Sequence, residues 1–300
     1  MDWSPDEIRA VLSLAHQMKR QMREGHLRPT LAGKILALIF EKSSVRTRVS
    51  FEVAITQLGG HAIYLSQSDI NLGKREPVKD GARVLSRYVD GIAARVYSHA
   101  TVEELAAYSS VPVINALSDW AHPCQALADI TTVQERHPDL AGVTLAFIGD
   151  ANNVARSLAV ICAKLGLKYR LACPAAYQFD RRFLRELESI PGASIQVTHS
   201  PAQAAAGADV LYTDTWISMG QEAEAERRLR DFQSYRIDAA LLRLAAKDVM
   251  VMHCMPASRG NEITDEVIEG PQSVVFDQAE NRLHTQRAVL EVLMGGLHLY

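Results

Sequence analysis

Ten short apolar runs, most of them separated by helical stretches, constrain this chain more than any other feature. They are "KILALIF" (34–40), "HAIYL", "GIAARV", "VPVINA", "VTLAFI", "KYRLA", "SIQVT", "ADVLYT", "VMVMH" and "SVVF". A short continuous apolar run reads as a strand buried on both faces, the mark of a parallel sheet wrapped by helices. The expected fold class is therefore α/β. The rhythm pauses at "QERHPDLAG" (134–142), a charged stretch carrying Pro138 and Gly142, and then restarts. We expect two domains, 1–135 and 140–283, each a parallel sheet flanked by helices, with a cleft between them. The last segment, 284–300, reads as a helix packing back on the first domain.

Helix signals are clear at the chain start. Ser4 and Glu7 fit a capping box, Pro5 suits the first helical position, and Ile8, Val11, Leu12, Ala15, Met18 and Met22 form one apolar stripe. The 300 residues suit one large or two ordinary domains, and 48% hydrophobic residues suffice for a packed core. A net charge of −3 gives no global attraction to nucleic acid or anionic membrane, so any anion site must be local. No apolar run approaches the roughly 20 residues of a membrane helix. Four dispersed cysteines and a start without a basic-then-apolar pattern lead us to expect a reducing cytoplasm.

In open α/β sheets ligands gather at the carboxyl ends of strands, so the residues after each run carry the chemistry. After "KILALIF" comes "EKSSVRTR". Ser43 or Ser44 can cap the next helix, with Val45, Val49, Val53, Phe51, Ile55 and Leu58 on its buried side. A helix start carries unpaired N–H groups and partial positive charge, so Arg46 and Arg48 there are unfavourable without a negative partner. A phosphate would take backbone N–H bonds, hydroxyl bonds from Ser44 and Thr47, and the charge of Arg46. The alternative is a capped helix with solvated arginines. The stretch lacks the glycines of a Walker loop.

Arg95 ends "GIAARV" and is either a structural ion pair or a second clamp. His122, Cys124 and Gln125 follow "VPVINA": the histidine could donate to an oxyanion, and the amide could recognise another amide. After "VTLAFI" the dinucleotide fingerprint fails, since Gly149 is followed by Ala151 and Val154 at the glycine positions. Asn152 and Asn153 would suit a small carboxylate instead. Asp214 and Ser218, in "DTWISMG", could pair with an amine ligand, or form a turn and helix cap. Cys254 after "VMVMH" could be a nucleophile, a metal ligand or a polar contact. His122, Cys124, His253 and Cys254 together suggest a zinc site, but H-x-C and H-C are not the usual spacings.

Four of these strings, in order across nearly the whole chain, resemble the transcarbamoylase family in its ornithine-using branch. "SSVRTR" resembles S-T-R-T-R with Val45 for threonine; "HPCQ" matches H-P-x-Q; "DTWISMG" matches D-x-W-x-S-M-G; "HCMP" resembles H-C-L-P with Met255 for leucine. The resemblance implies that Ser44, Val45 (through its backbone), Arg46 and Thr47 hold the phosphate of carbamoyl phosphate. Arg95, His122, Gln125 and Arg282 would grip the carbamoyl group. Asn153, Asp214, Ser218 and Met219 would bind the amino-acid end of L-ornithine, with Cys254 and Met255 near the reacting amine. Asn71 falls where relatives place a longer side chain that reaches a neighbouring subunit. The resemblance further implies a homotrimer or an assembly of trimers, with no cofactor, no metal and no covalent intermediate. An aspartate-using relative would need extra positive charge, whereas the Asp214 loop offers negative charge. A putrescine enzyme would have no use for groups that bind an α-carboxylate. A nicotinamide-dependent reductase fits the architecture alone, and a non-catalytic binding protein lacks a reason for the full motif set.

Overall fold

The computed structural model describes residues 3–218 and 221–296. Nine strands are present among them: β1 Ile35–Phe40, β2 His61–Ser66, β3 Gly91–Arg95, β4 Val113–Leu117, β5 Thr144–Ile148, β6 Lys168–Ala172, β7 Ser194–Thr198, β8 Val210–Thr213 and β9 Met250–His253. All pairings are parallel, in two separate sheets ordered β2-β1-β3-β4 and β7-β6-β5-β8-β9. The central strands β1, β3, β5 and β8 are buried along almost their whole length, as is β9 at one edge of its sheet, while edge strands β2 and β7 alternate with exposed positions. This is why the central strands read as unbroken apolar runs.

The chain divides into two compact units. The first comprises residues up to Thr131 and those from Glu280 onward; the second is Thr132–Ala279. The division falls inside the helix Pro123–Gln134, a few residues before the charged stretch that interrupts the sequence pattern. The core of the first unit centres on Ala37, Ile39, Ile92, Ala94 and Val96, with Val78, Ala82 and Leu105 from the covering helices. The core of the second gathers Ala146, Ile148, Leu211 and Val251 from its strands with Trp216, Phe232 and Ile237. Each fully buried Val, Leu, Ile or Phe among them contributes about 1.5–3 kcal/mol relative to exposure.

Three expectations need correction. "SVVF" is not a strand: Ser273 makes one isolated bridge to Val251, and Val275 opens the helix Val275–Met294. A four-residue apolar run cannot be told from a buried helix turn by periodicity alone. The closing helix thus starts nine residues before 284, and residues 297–300 lie outside the described residues. From Glu280 on it belongs to the first unit, where Lys19 of the opening helix Pro5–Arg23 donates to Asn281 at 2.8 Å. On the helix Val45–Gln57, Val45 is 76% and Val49 50% exposed, and the buried side is Thr47, Phe51, Ala54 and Ile55. The opening helix follows expectation: its Ser4–Glu7 capping box is formed, and Ile8, Val11, Leu12, Ala15 and Met18 are buried, with Met22 only partly so.

Candidate active site

Each sheet has a switch point, where the chain leaves a central strand toward opposite edges: between β1 and β3 in the first, between β5 and β8 in the second. Loops leaving the carboxyl ends of such strands part and leave a crevice. "SSVRTR" and "DTWISMG" follow switch-point strands β1 and β8, and "HPCQ" and "HCMP" follow the adjacent edge strands β4 and β9.

In the first unit, Phe40 of β1 lies beside Arg95 of β3, and the Glu41 N–H donates to the Arg95 carbonyl at 2.9 Å. This register places the end of β3 against the loop that opens the helix Val45–Gln57. Ser44 caps that helix, its hydroxyl accepting from the Thr47 N–H at 3.3 Å. The first turn holds no acidic residue, in contrast to the opening helix with Asp6 and Glu7. Its partial positive charge is left uncompensated.

Arg282, reaching from the closing helix, is buried and joins two motifs. It donates through Nη1 to Gln125 Oε1 at 2.6 Å and through Nη2 to Thr47 Oγ1 at 3.2 Å. The Gln125 Nε2 in turn donates to Asp129 at 2.8 Å. Both ends of the Gln125 amide are therefore engaged, and one N–H and one lone pair remain to recognise another amide. His122 is buried, and its pKa is held well below 6.5, first by burial, then by the positive charges of Arg282 and Arg95. It is a neutral imidazole at neutral pH, able to donate one hydrogen bond.

Arg46 is half-buried, and no carboxylate pairs with it among the described residues. Arg48 differs: it pairs with Glu52 at 2.9 Å and lies 3.8 Å over the Tyr64 ring. Of the two arginines at this helix start, only Arg46 is left without a negative partner among the described residues, since Arg48 finds one within the helix. Asn71 is the left-handed cap (φ 44°) of the short helix Gln67–Ile70. Its side chain makes no hydrogen bond to the described residues, and it lines a separate cavity of about 300 Å³ with Glu41, Lys74 and Tyr97. The Cys124 thiol is pushed up to about 11 by burial, so it is no nucleophile at neutral pH.

In the second unit, β5 is followed by Gly149, whose φ of 147° favours glycine. Asn152 caps the helix Asn153–Leu165, accepting from Val154 and Ala155 N–H groups, and its Nδ2 donates to Asp214 at 2.7 Å. Asp214, just past β8, also accepts from the Thr215 N–H at 2.7 Å and the Cys254 thiol at 3.0 Å. Asn152 is thus committed to capping and to Asp214 rather than open to a carboxylate; Asn153, one residue on, begins the helix. Ser218 is half-buried and donates its N–H to Gln221 at 3.0 Å. Met219 lies outside the described residues.

Beyond β9, His253 is fully buried. Its Nδ1 accepts from the Met255 N–H at 2.8 Å, so Nε2 carries the proton and donates to buried Glu262 at 3.1 Å. Met255 occupies the left-handed region at φ 58°, unusual for a side chain of its kind. Asp214, His253 and Cys254 lie close enough together to resemble a metal site. Both ring nitrogens of His253 are already used, and the thiol proton points at Asp214, so this donor set does not suit a metal.

Sequence spacing missed Asp129, Glu262, Asp150 and Arg228. Gln125 and Arg282 are 157 residues apart, and no local pattern announces their bond. Arg228 sits in "AERRLRD", which reads as a solvated helix face, yet its side chain is buried.

The family model of the aspartate/ornithine carbamoyltransferase carbamoyl-P binding domain matches residues 1–135, and that of the Asp/Orn binding domain matches 141–293. The second match runs into the segment that packs with the first unit, because a continuous sequence model cannot follow a chain that returns. The ornithine carbamoyltransferase of Pyrococcus abyssi is 50% identical over 99% of this chain and 94% of its own length. The structure of ornithine carbamoyltransferase from Pyrococcus furiosus superposes with a TM-score of 0.95 at 50% identity, covering 99% of this chain and 96% of that one. An anabolic ornithine carbamoyltransferase structure from Campylobacter jejuni gives a TM-score of 0.91 at 41% identity, over 97% and 96% of the two chains. With a domain model matching each half of the chain and relatives this similar, the chain belongs to the aspartate/ornithine carbamoyltransferase family.

Proposed function

We propose that this protein transfers the carbamoyl group of carbamoyl phosphate to the δ-amine of L-ornithine, giving L-citrulline and phosphate. The observation that carries the reading is Arg282, whose guanidinium ties Thr47 at an uncompensated helix start to Gln125, three residues from neutral His122. An arrangement of buried cations and neutral donors beside a helix start suits a phosphorylated carbonyl compound. The names of the relatives support ornithine as acceptor.

In this reading Ser44, the Val45 backbone, Arg46 and Thr47 hold the phosphate at the helix N-terminus. Arg95, His122 and Arg282 face the carbonyl oxygen, where negative charge grows as the amine attacks. Gln125, anchored by Asp129 and Arg282, offers its remaining N–H and lone pair to the carbamoyl amide. With its pKa held well below 6.5, His122 is neutral and can donate at neutral pH. The attacking amine must be neutral, although a free alkylamine has a pKa of about 10.4. Surrounding arginines disfavour the ammonium form, and the departing phosphate takes the proton.

Asp214, preset by Asn152, Thr215 and Cys254, pairs with the α-ammonium of ornithine. Asn153, Ser218 and Met219 complete the amino-acid end. Cys254 orients the amine, since its proton is spent on Asp214, and Met255 lies next to it on the same turn. Asn71 reaches toward a neighbouring subunit of a homotrimer, or of an assembly of trimers. The four free cysteines suit a cytoplasmic enzyme. The name of the Campylobacter jejuni relative supports the biosynthetic direction.

A citrulline assay offering ornithine, aspartate, putrescine and lysine as competing acceptors tests this. Ornithine should be carbamoylated at least a hundredfold faster than the others; preference for any other acceptor refutes the assignment.

A further inference from the structure

We propose that Arg228 is a positioning residue for ornithine recognition, holding the loop that carries Asp214 and Ser218 in register with the end of β5. This rests on the functional reading above, in which Asp214 pairs with the α-ammonium.

Arg228 lies in the helix Ala225–Asp231, beyond every motif that names a substrate contact. Its side chain is nonetheless only 4% exposed. Nε donates to the carbonyl of Trp216, two residues after Asp214, and Nη2 pairs with the Asp150 carboxylate, two residues after β5 ends. The guanidinium lies 4.8 Å from the Tyr177 ring and 5.4 Å from that of Phe232. Those rings are fixed in their turn: the Tyr177 carbonyl accepts from the Ala151 N–H at 3.1 Å, and Phe232 stacks on Trp216 with centroids 6.0 Å apart.

The loops after β5 and β8 are therefore joined twice. One link is direct, Asn152 to Asp214 at 2.7 Å. The other runs from Asp150 through Arg228 to the Trp216 backbone. Between them they close a ring that contains Asp214. The Asn152, Thr215 and Cys254 bonds hold the Asp214 carboxylate itself, and the Arg228 link fixes the backbone two residues on, and with it the distance of this loop from Asn153. Only a planar fork can serve two acceptors in different directions while lying between aromatic faces, so lysine is no substitute. A buried ion pair is a weak source of net stability, which makes fixing geometry the better account of this one.

Steady-state kinetics in both substrates, on the full-length protein, distinguish the roles. Arg228→Lys and Arg228→Gln should raise the ornithine KM about tenfold or more, as expected for losing a charge-assisted hydrogen bond. The carbamoyl phosphate KM should stay within about twofold. Asp150→Asn, which keeps an acceptor but loses the charge, should raise the ornithine KM about threefold. Combined with Arg228→Gln it should add almost nothing, because the two act as one link. If the Arg228 variants do not fold, the Asp150→Asn kinetics decide the matter alone. Equal changes in both KM values, or a lowered melting temperature with the ornithine KM unchanged, overturn the positioning role while leaving the reaction intact. No citrulline from the unaltered protein overturns the functional reading, and this proposal with it.

Discussion

The two chemical centres occupy equivalent places, each at the switch point of a parallel sheet, but their electrostatics are opposite. At the β1/β3 end, buried Arg95 and Arg282 surround a neutral imidazole, and Arg46 stands at a helix start with no acid in its first turn. At the β5/β8 end, Asp214 is held by an amide, a backbone N–H and a thiol. The first centre gathers positive charge, which suits an anion. The second presents a carboxylate whose direction is preset and whose charge is only partly spent. Placing like charges around an empty pocket costs folding free energy, which a substrate anion returns on binding; presetting a carboxylate lowers the cost of capturing a cation.

The contrast breaks most visibly at Arg282. Arg282→Ala leaves Thr47 and Gln125 without their common donor, and turnover should fall about 10²–10³-fold in a citrulline assay. A fall below about tenfold removes Arg282 from the carbonyl's surroundings. At the other centre, Asp214→Asn keeps the shape and deletes the charge. The ornithine KM should rise about 10–100-fold with little change for carbamoyl phosphate; equal effects on both substrates contradict the division of labour.

Arg46 and Arg48 sharpen the same comparison within one helix turn. Arg46→Ala should raise the carbamoyl phosphate KM about tenfold without lowering the melting temperature, because no carboxylate pairs with it. Arg48→Ala removes an exposed pair with Glu52, worth about 0–1 kcal/mol, and should leave both KM values within about twofold. A further effect concerns pH. His284 is lowered to about 4, chiefly by burial, and His122 is lowered as well. Below about pH 6.5 the unfolded chain binds protons that the folded chain refuses. Stability is therefore full above that pH and declines as the pH falls toward 4, by at most about 1.4 kcal/mol per unit for each histidine. Glu280, whose pKa is lowered chiefly by its bond from His284, loses its contribution only below about 4.5. Melting curves at pH 7.5, 6 and 5 should show a shallower decline for His284→Asn; an unchanged decline refutes the assignment.

The sheets were legible in the sequence because central parallel strands are buried on both faces, as β1 and β5 are. "SVVF" misled because a short apolar run can open a helix equally well. Val45 and Val49 misled because a helical period says which residues share a face, not whether that face is covered. The motif residues were legible since they follow strand ends, and Asp214 and Arg95 stand there. Their partners were not. Thr47 and Arg282 are 235 residues apart, and Arg228 hides in a run of charges that ordinarily marks solvent exposure. Local spacing carries no information about which distant side chain completes a site.

The central claim is that carbamoyl phosphate is bound by the cations gathered at the start of the helix Val45–Gln57. A crystal structure with a non-hydrolysable analogue of carbamoyl phosphate tests it most directly. The account requires phosphate oxygens within hydrogen-bond distance of the Val45 and Arg46 N–H groups and the Arg46 guanidinium, with the carbonyl toward His122. An analogue seated elsewhere, with this helix start still bare, contradicts it.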